Sequence, residues 1–378
     1  MVRLMNKVLL VGVSMIELPK YDGLNTTAFS KMFKSLTTSY KLFWFKAVFD
    51  EVIAGNSEIL VSDIVDSMIE DAFEFIHKYK LGFSVIDQLE ASIRSIPPDY
   101  RGNNDYKSLS KVIDPKYLLK FRKEIQNYVP YRLLSTFYED TKSKKDNIKN
   151  STISYFMSKD DNAFYQYDKV NRKVLVSPAW RQYIIKNQNL ILGWYKYHLI
   201  KFLQSRNPST PNIPAKIDSD RKDINKQRKF WLRVANENAE LLYDIYLGKP
   251  ISNRSTEEHG ILSLDHVLPY EFVSHDQMWN LIPAHKNINS KKGTDLPSKD
   301  YIRKAVDLQY KFFDTARKIT DLTNKEKKYL LEYEQLNSEL NYLNPKLDKS
   351  KFEFILLEQL QSLYSIAYNQ GFDVWKNE

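Results

Sequence analysis

Residues 262–297 of this 378-residue chain read LSLDHVLPYEFVSHDQMWNLIPAHKNINSKKGTDLP. The apolar residues flanking Asp265-His266 predict a strand, Leu281-Ile282 predicts a second, and residues from about Ala284 predict a helix. The result is a strand–strand–helix unit with one metal-ligand type, Asp265, on the first strand and another, Asn289, on the helix. Side chains alternate along a strand, so Asp265 and His266 are expected on opposite faces unless the backbone is irregular. Four of the chain's six histidines, His259, His266, His275 and His285, fall in or beside this stretch.

These residue types suit phosphodiester hydrolysis. That reaction needs an activated water and a neutralised phosphate, and a hard divalent cation with oxygen ligands supplies the second. Asp265 and Asn289 offer such oxygens, while an imidazole at His266 is suited to taking a proton near neutral pH.

Taken in order, Asp-His-x-x-Pro (265–269), Trp-Asn-Leu-Ile-Pro (279–283) and Asn-x-x-Lys-Gly (289–293) form a specific combination. It resembles the HNH, or ββα-metal, nuclease family. The resemblance implies that Asp265 binds the metal, His266 activates water and Asn289 completes the metal site. Asn280, counted with His266 in the catalytic set, would brace the loop joining the strands. The 24-residue step from Asp265 to Asn289, with Asp-Leu-Pro-Ser at 295–298, is also similar to the HNH module of CRISPR effector nucleases. Many family members carry Cys-x-x-Cys-Asn before the lysine; here His285 and Ile288 stand at the cysteine positions. The resemblance therefore implies Mg²⁺ or Mn²⁺ as cofactor, no structural zinc, and products bearing a 5′-phosphate and a 3′-hydroxyl. More weakly, residues 128–132, 206–208 and 273–280 resemble large bacterial HNH proteins with helical flanks, which are linked with defence against foreign DNA.

Composition narrows the alternatives. The chain has no cysteine, which excludes disulfides, thiolate nucleophiles and cysteine zinc sites. With 10 glycines and no GxGxxG or GxxxxGK[ST], it has no dinucleotide or ATPase signature. The apolar run at 8–13 is too short, and followed too closely by Glu17, to read as a secretory signal, and no stretch is long enough to span a membrane. A cytoplasmic protein is expected. Net charge is +9, and residues 101–233 alone carry +16. Such concentration suits a polyanion. Expected phosphate contacts are Lys216, Arg221, Lys222, Lys226, Arg228 and Lys229, together with Lys291 and Lys292 beside Asn289.

Other features take plainer readings. His275-Asp276 reads as a turn closed by an Asx-type bond, with assistance to the metal as the other reading. His259 and His285 read as loop or helix-surface residues. Aromatic stripes at helical spacing read as core rather than as base-stacking platforms.

The whole reads as a mainly α protein, helical bundle regions with an embedded ββα-metal module. Four segments are expected: a helical N-terminal domain (1–140), a basic, mainly helical middle region (151–247), the nuclease module (248–300) and a helical C-terminal region (301–378). Helices are expected from Phe29 to Gly55, from Ser62 to Gly82, before Pro97-Pro98, from Asp114-Pro115, from Ser177-Pro178 to Asn207, and from about Asp220 to Leu242. Residues 142–151 read as a loop, 164–167 with 173–176 as a hairpin, and 208–214 as a stiff linker. The functional expectation is a metal-dependent endonuclease, DNA favoured over RNA, with a defence-system protein as partner or activator. Its rivals are a non-catalytic nucleic-acid-binding protein and an RNA-cleaving, toxin-like effector that needs a partner.

Overall fold

The computed structural model describes residues 17–96, 115–138, 141, 145–218, 223–251 and 262–376. The apolar run at 8–13, the Pro97-Pro98 stop, the Asp114 cap, Arg221, Lys222 and His259 lie outside them. The described residues are mainly α-helical, with few and small sheets. The chain divides into two compact units, 1–207 and 208–378.

In the first unit, helices α1 (Thr26–Ser30), α2 (Tyr40–Ile53), α3 (Val61–His77) and α4 (Gln88–Arg94) precede α5 (Pro115–Arg132) and α6 (Asp146–Met157). Helices α7 (Pro178–Lys186) and α8 (Gln188–Arg206) close it. The expected hairpin forms as β2 (Tyr165–Asp168) and β3 (Lys173–Val176). Strand β1 (Glu58–Leu60) adds to it antiparallel, pairing Glu58 with Leu175. The aromatic stripes are interior: Phe29 stacks on Trp180 at 4.9 Å between ring centres, and Trp180, Tyr183 and Trp194 are buried.

Three expectations need correction here. The helix expected from Phe29 to Gly55 is broken between α1 and α2 by a Ser/Thr-rich stretch, and Asp87 Oδ2 accepts the Ser39 amide at 2.7 Å. The helix expected from Pro178 to Arg206 is interrupted at Asn187, whose side chain donates to the Tyr183 carbonyl. Part of the expected loop at 142–151 is the start of α6, where Ile153 and Met157 pack inward.

In the second unit, α9 (Ile213–Ile217) and α10 (Asn225–Glu237) lead to the small hairpin β4 (Tyr243–Asp244) and β5 (Lys249–Pro250). The ββα unit follows: β6 (Leu262–His266), the short helix α11 (Tyr270–Val273), β7 (Leu281–His285) and α12 (Lys286–Lys292). Strands β6 and β7 are antiparallel, with Asp265 opposite Ile282 and His266 opposite Leu281. Helices α13 (Lys299–Lys318), α14 (Asn324–Leu336) and α15 (Lys349–Gln370) complete the unit. One apolar core runs from Phe230 and Trp231 of α10 through Leu264, Trp279 and Ile282 to Phe352 and Trp375. The segments expected as 248–300 and 301–378 therefore share an interior, and the expected 151–247 segment divides at Asn207.

Polar groups tie α13 to the strands. Gln309, wholly buried, donates from Nε2 to the carbonyls of Met278 (2.9 Å) and Leu281 (2.5 Å), and its oxygen accepts from the Tyr333 hydroxyl. These bonds fasten the strand hairpin to the helices packed against it.

Candidate active site

Asp265 and His266 close β6, and alternation gives them separate sets of partners. The Asp265 carboxylate, 2% exposed, accepts from the Tyr246 hydroxyl at Oδ2 (2.5 Å) and from Lys292 Nζ at Oδ1 (3.1 Å). Lys292 also donates to the His266 carbonyl at 2.9 Å. Burial, and then the Asp265 charge, push the Tyr246 hydroxyl well above its ordinary pKa, so it stays a donor. His266 turns instead to Asp276, with Nε2 2.9 Å from Oδ1, and its ring meets Tyr270 edge-on at 5.6 Å.

Asn289 lies on α12, and its Nδ2 donates to the Leu264 carbonyl (3.0 Å) and to Ser263 Oγ (3.2 Å). With the nitrogen end pinned to β6, the amide oxygen is the end left for a ligand. Asp265, His266 and Asn289 line one cleft of about 560 Å³, shared with Arg228, Lys286 and Ser290. Three of the expected site residues are therefore brought together.

Asn280 is not in that lining. It is wholly buried, its Oδ1 accepting from the Leu268 amide (2.8 Å) and its Nδ2 donating to the Leu268 carbonyl (2.9 Å). Its role is the brace of the loop after β6, so it does not stand with His266 as a catalytic group.

The basic residues separate sharply. Arg228 lines the cleft, and its buried Nε has no hydrogen-bond partner among the described residues. Lys226, Lys229 and Lys291 are exposed. Lys216 and Lys292 correct the expectation of phosphate contacts, because both are buried, at 2% and 1% exposure. The Lys216 ammonium donates to the carbonyls of Glu271 (3.0 Å) and Phe272 (2.6 Å) and to Ser274 Oγ (2.6 Å). Burial pushes it down to about 7. The Lys292 ammonium is spent on Asp265 and β6.

One histidine also departs from expectation. His285 is not a surface residue but a buried one, bonded to Asp244. Burial, and then the neighbouring His266, push His275 down to about 4, and it packs against Trp279 at 5.1 Å between ring centres. Asp276, read from sequence as a turn residue, is the side chain that engages His266. Tyr246 escaped notice because it lies 19 residues before Asp265 with no motif of its own.

Asp265 and Asn289 are oxygen donors of the kind a hard divalent cation takes, and both border the cleft, where the Asp265 carboxylate already accepts from Tyr246 and Lys292. Among the described residues there is no group of three or more His, Asp or Glu that could hold a metal ion.

A strand hairpin and helix presenting Asp, His and Asn to one cleft define a ββα nuclease module. Residues 244–298 match the family model described as HNH endonuclease, and the chain carries an HNH-family domain there. Such a domain belongs to nucleases and acts on nucleic acid. Searches of curated proteins and of solved structures find no match to the chain. Among the described residues no helix is long and apolar enough to cross a membrane.

Proposed function

We propose that this protein is a metal-dependent endonuclease that cleaves phosphodiester bonds, DNA in preference to RNA. The observation that carries the reading is the convergence of His266, Asp265 and Asn289 on one cleft, with His266 held from behind by a carboxylate. Asp265 and Asn289 hold the cation, Mg²⁺ or Mn²⁺, which when bound supplies the positive charge that neutralises the phosphate and the departing oxygen. His266 takes the proton of a water that adds to phosphorus; the bond to the 3′-oxygen breaks, leaving a 5′-phosphate and a 3′-hydroxyl. Arg228, with its unpartnered buried Nε, contacts a phosphate oxygen at the cleft. Exposed Lys226, Lys229 and Lys291 hold flanking phosphates. The preference for DNA, a role in defence with a protein activator, and a cytoplasmic site are supported by the resemblance to bacterial HNH proteins.

The test is incubation of the purified chain with supercoiled plasmid, linear duplex, single-stranded DNA and RNA, each with Mg²⁺, Mn²⁺ or EDTA. Scission of DNA that EDTA abolishes is expected. Binding without scission in every metal gives the non-catalytic reading, and scission of RNA alone gives the toxin-like one.

A further inference from the structure

The loop between α11 and the second strand is fixed from several sides. Ser274 has left-handed backbone torsions (φ 52°, ψ 44°), an uncommon state for a residue other than glycine. Lys216 holds its hydroxyl at 2.6 Å, and Asn212 Nδ2 donates to its carbonyl at 2.7 Å. Beyond it, the Met278 amide donates to Glu332 at 2.7 Å, Gln277 Nε2 donates to Gln335 at 3.0 Å, and Gln227 Nε2 donates to the Asp276 carbonyl at 3.3 Å. A buried ammonium, a strained residue and four polar side chains thus deliver a single carboxylate to His266.

An ionised carboxylate only accepts hydrogen bonds. At 2.9 Å from Asp276 Oδ1, His266 Nε2 must therefore carry a hydrogen, whether the ring is neutral or cationic. The neutral ring then keeps its lone pair at Nδ1. We infer that Asp276 is a positioning residue for His266: it fixes ring orientation and tautomer so that Nδ1 is the atom that takes the proton from water.

This inference rests on His266 being the general base of the proposed reaction. Asp276 touches neither substrate nor cation; it acts through the imidazole. As the O–P bond forms, the water proton moves to Nδ1, the bond to the 3′-oxygen breaks, and the imidazolium is balanced by the Asp276 charge. The Nδ1 proton returns to solvent after the products leave, and the 3′-oxygen gains a proton from solvent.

The experiment uses the full chain labelled with ¹⁵N at histidine, with the His266→Ala spectrum assigning the His266 signals. The Nε2–H tautomer is expected in the wild-type protein, and a mixture in Asp276→Ala. Single-turnover cleavage should fall about 10–100-fold in Asp276→Ala, with Asp276→Asn between it and wild type. The dissociation constant for uncleaved duplex, measured in EDTA, should stay unchanged. A wild-type Nδ1–H tautomer would overturn the inference. So would Ala and Asn variants that both cleave within about twofold of wild type beside an inactive His266→Ala. If Asp276→Ala does not fold, Asp276→Asn decides by the same readings. If the wild-type chain cleaves nothing, the nuclease reading falls, and the tautomer spectrum still decides the contact.

Discussion

Asp244 Oδ2 accepts from both the backbone amide and the ring Nδ1 of His285, each at 2.8 Å. Its Oδ1 takes the amides of Tyr246 (2.8 Å) and Leu247 (3.1 Å), and the carboxylate is wholly buried. Four hydrogen bonds on one carboxylate tie the small β4 hairpin to the end of β7, at a position where zinc-bearing family members are expected to carry a cysteine. Fold stability should therefore be indifferent to chelation: the melting temperature with EDTA should equal that without it, and elemental analysis should find no stoichiometric zinc. Asp244→Ala strands four donors, and unfolding in urea should show a loss of about 3 kcal/mol or more.

Lys216 makes an opposite prediction to the one its charge suggests. Lys216→Ala leaves two buried carbonyls and the Ser274 hydroxyl unpaired, at about 1–3 kcal/mol for each buried group. Thermal melts should show clear destabilisation. The dependence of nucleic-acid binding on salt should not change, since an ammonium buried in this way neutralises no phosphate; a shallower slope would return Lys216 to the binding surface.

Glu332 gives a pH signature. Burial, opposed by the Met278 amide, raises its carboxyl from 4.5 to about 7. A carboxyl that binds its proton more tightly in the fold favours the fold at low pH, and that advantage is lost as pH rises from 4.5 through about 7. Glu332→Gln, which keeps an acceptor for Met278, should raise the melting temperature at pH 8 and change nothing at pH 4. The gain should be on the order of 3 kcal/mol or less.

His266→Ala should reduce cleavage by about 10²–10⁴-fold while leaving duplex affinity in EDTA intact, because a general base contributes to the transition state and little to ground-state binding. Near wild-type cleavage would remove His266 from the mechanism.

Replacing Lys226, Arg228 and Lys229 of α10 together with Ala should weaken binding. It should also flatten log K against log salt by about 0.9 for each phosphate that is no longer neutralised. Unchanged affinity and slope, with folding confirmed by circular dichroism, would make α10 a solvated face.

The local parts of this structure were legible. Strand and helix of the ββα unit follow from apolar runs flanking Asp265-His266 and Leu281-Ile282, and the β2–β3 hairpin follows from its turn residues. Asp265, His266 and Asn289 could be picked out together because their spacing is a motif, and the fold brings them to one cleft. What could not be read is what tertiary packing decides. Strand β1 pairs with β3 across 115 residues, as the Lys173–Glu58 bond shows, and Asp244 meets His285 across 41. A lysine's charge is visible in a sequence but its burial is not, so Lys216 and Lys292 read as surface cations until the fold is seen. Asp276 has the residue type and position of an ordinary turn, and only the folded loop turns its carboxylate onto His266.

The ammonium of Lys292, sealed against Asp265, has a consequence for the order of events in the protein's life. A buried carboxylate without a counter-charge would strain the hairpin, and many small metal domains cannot fold until their ion arrives. Here the counter-charge is built into the chain. On the proposed reading, the hairpin and helix reach their final form on the ribosome's product alone, and a cation would then dock on a finished surface. An enzyme of that kind would be stored whole and idle, its readiness set by the local supply of divalent ions rather than by a folding reaction.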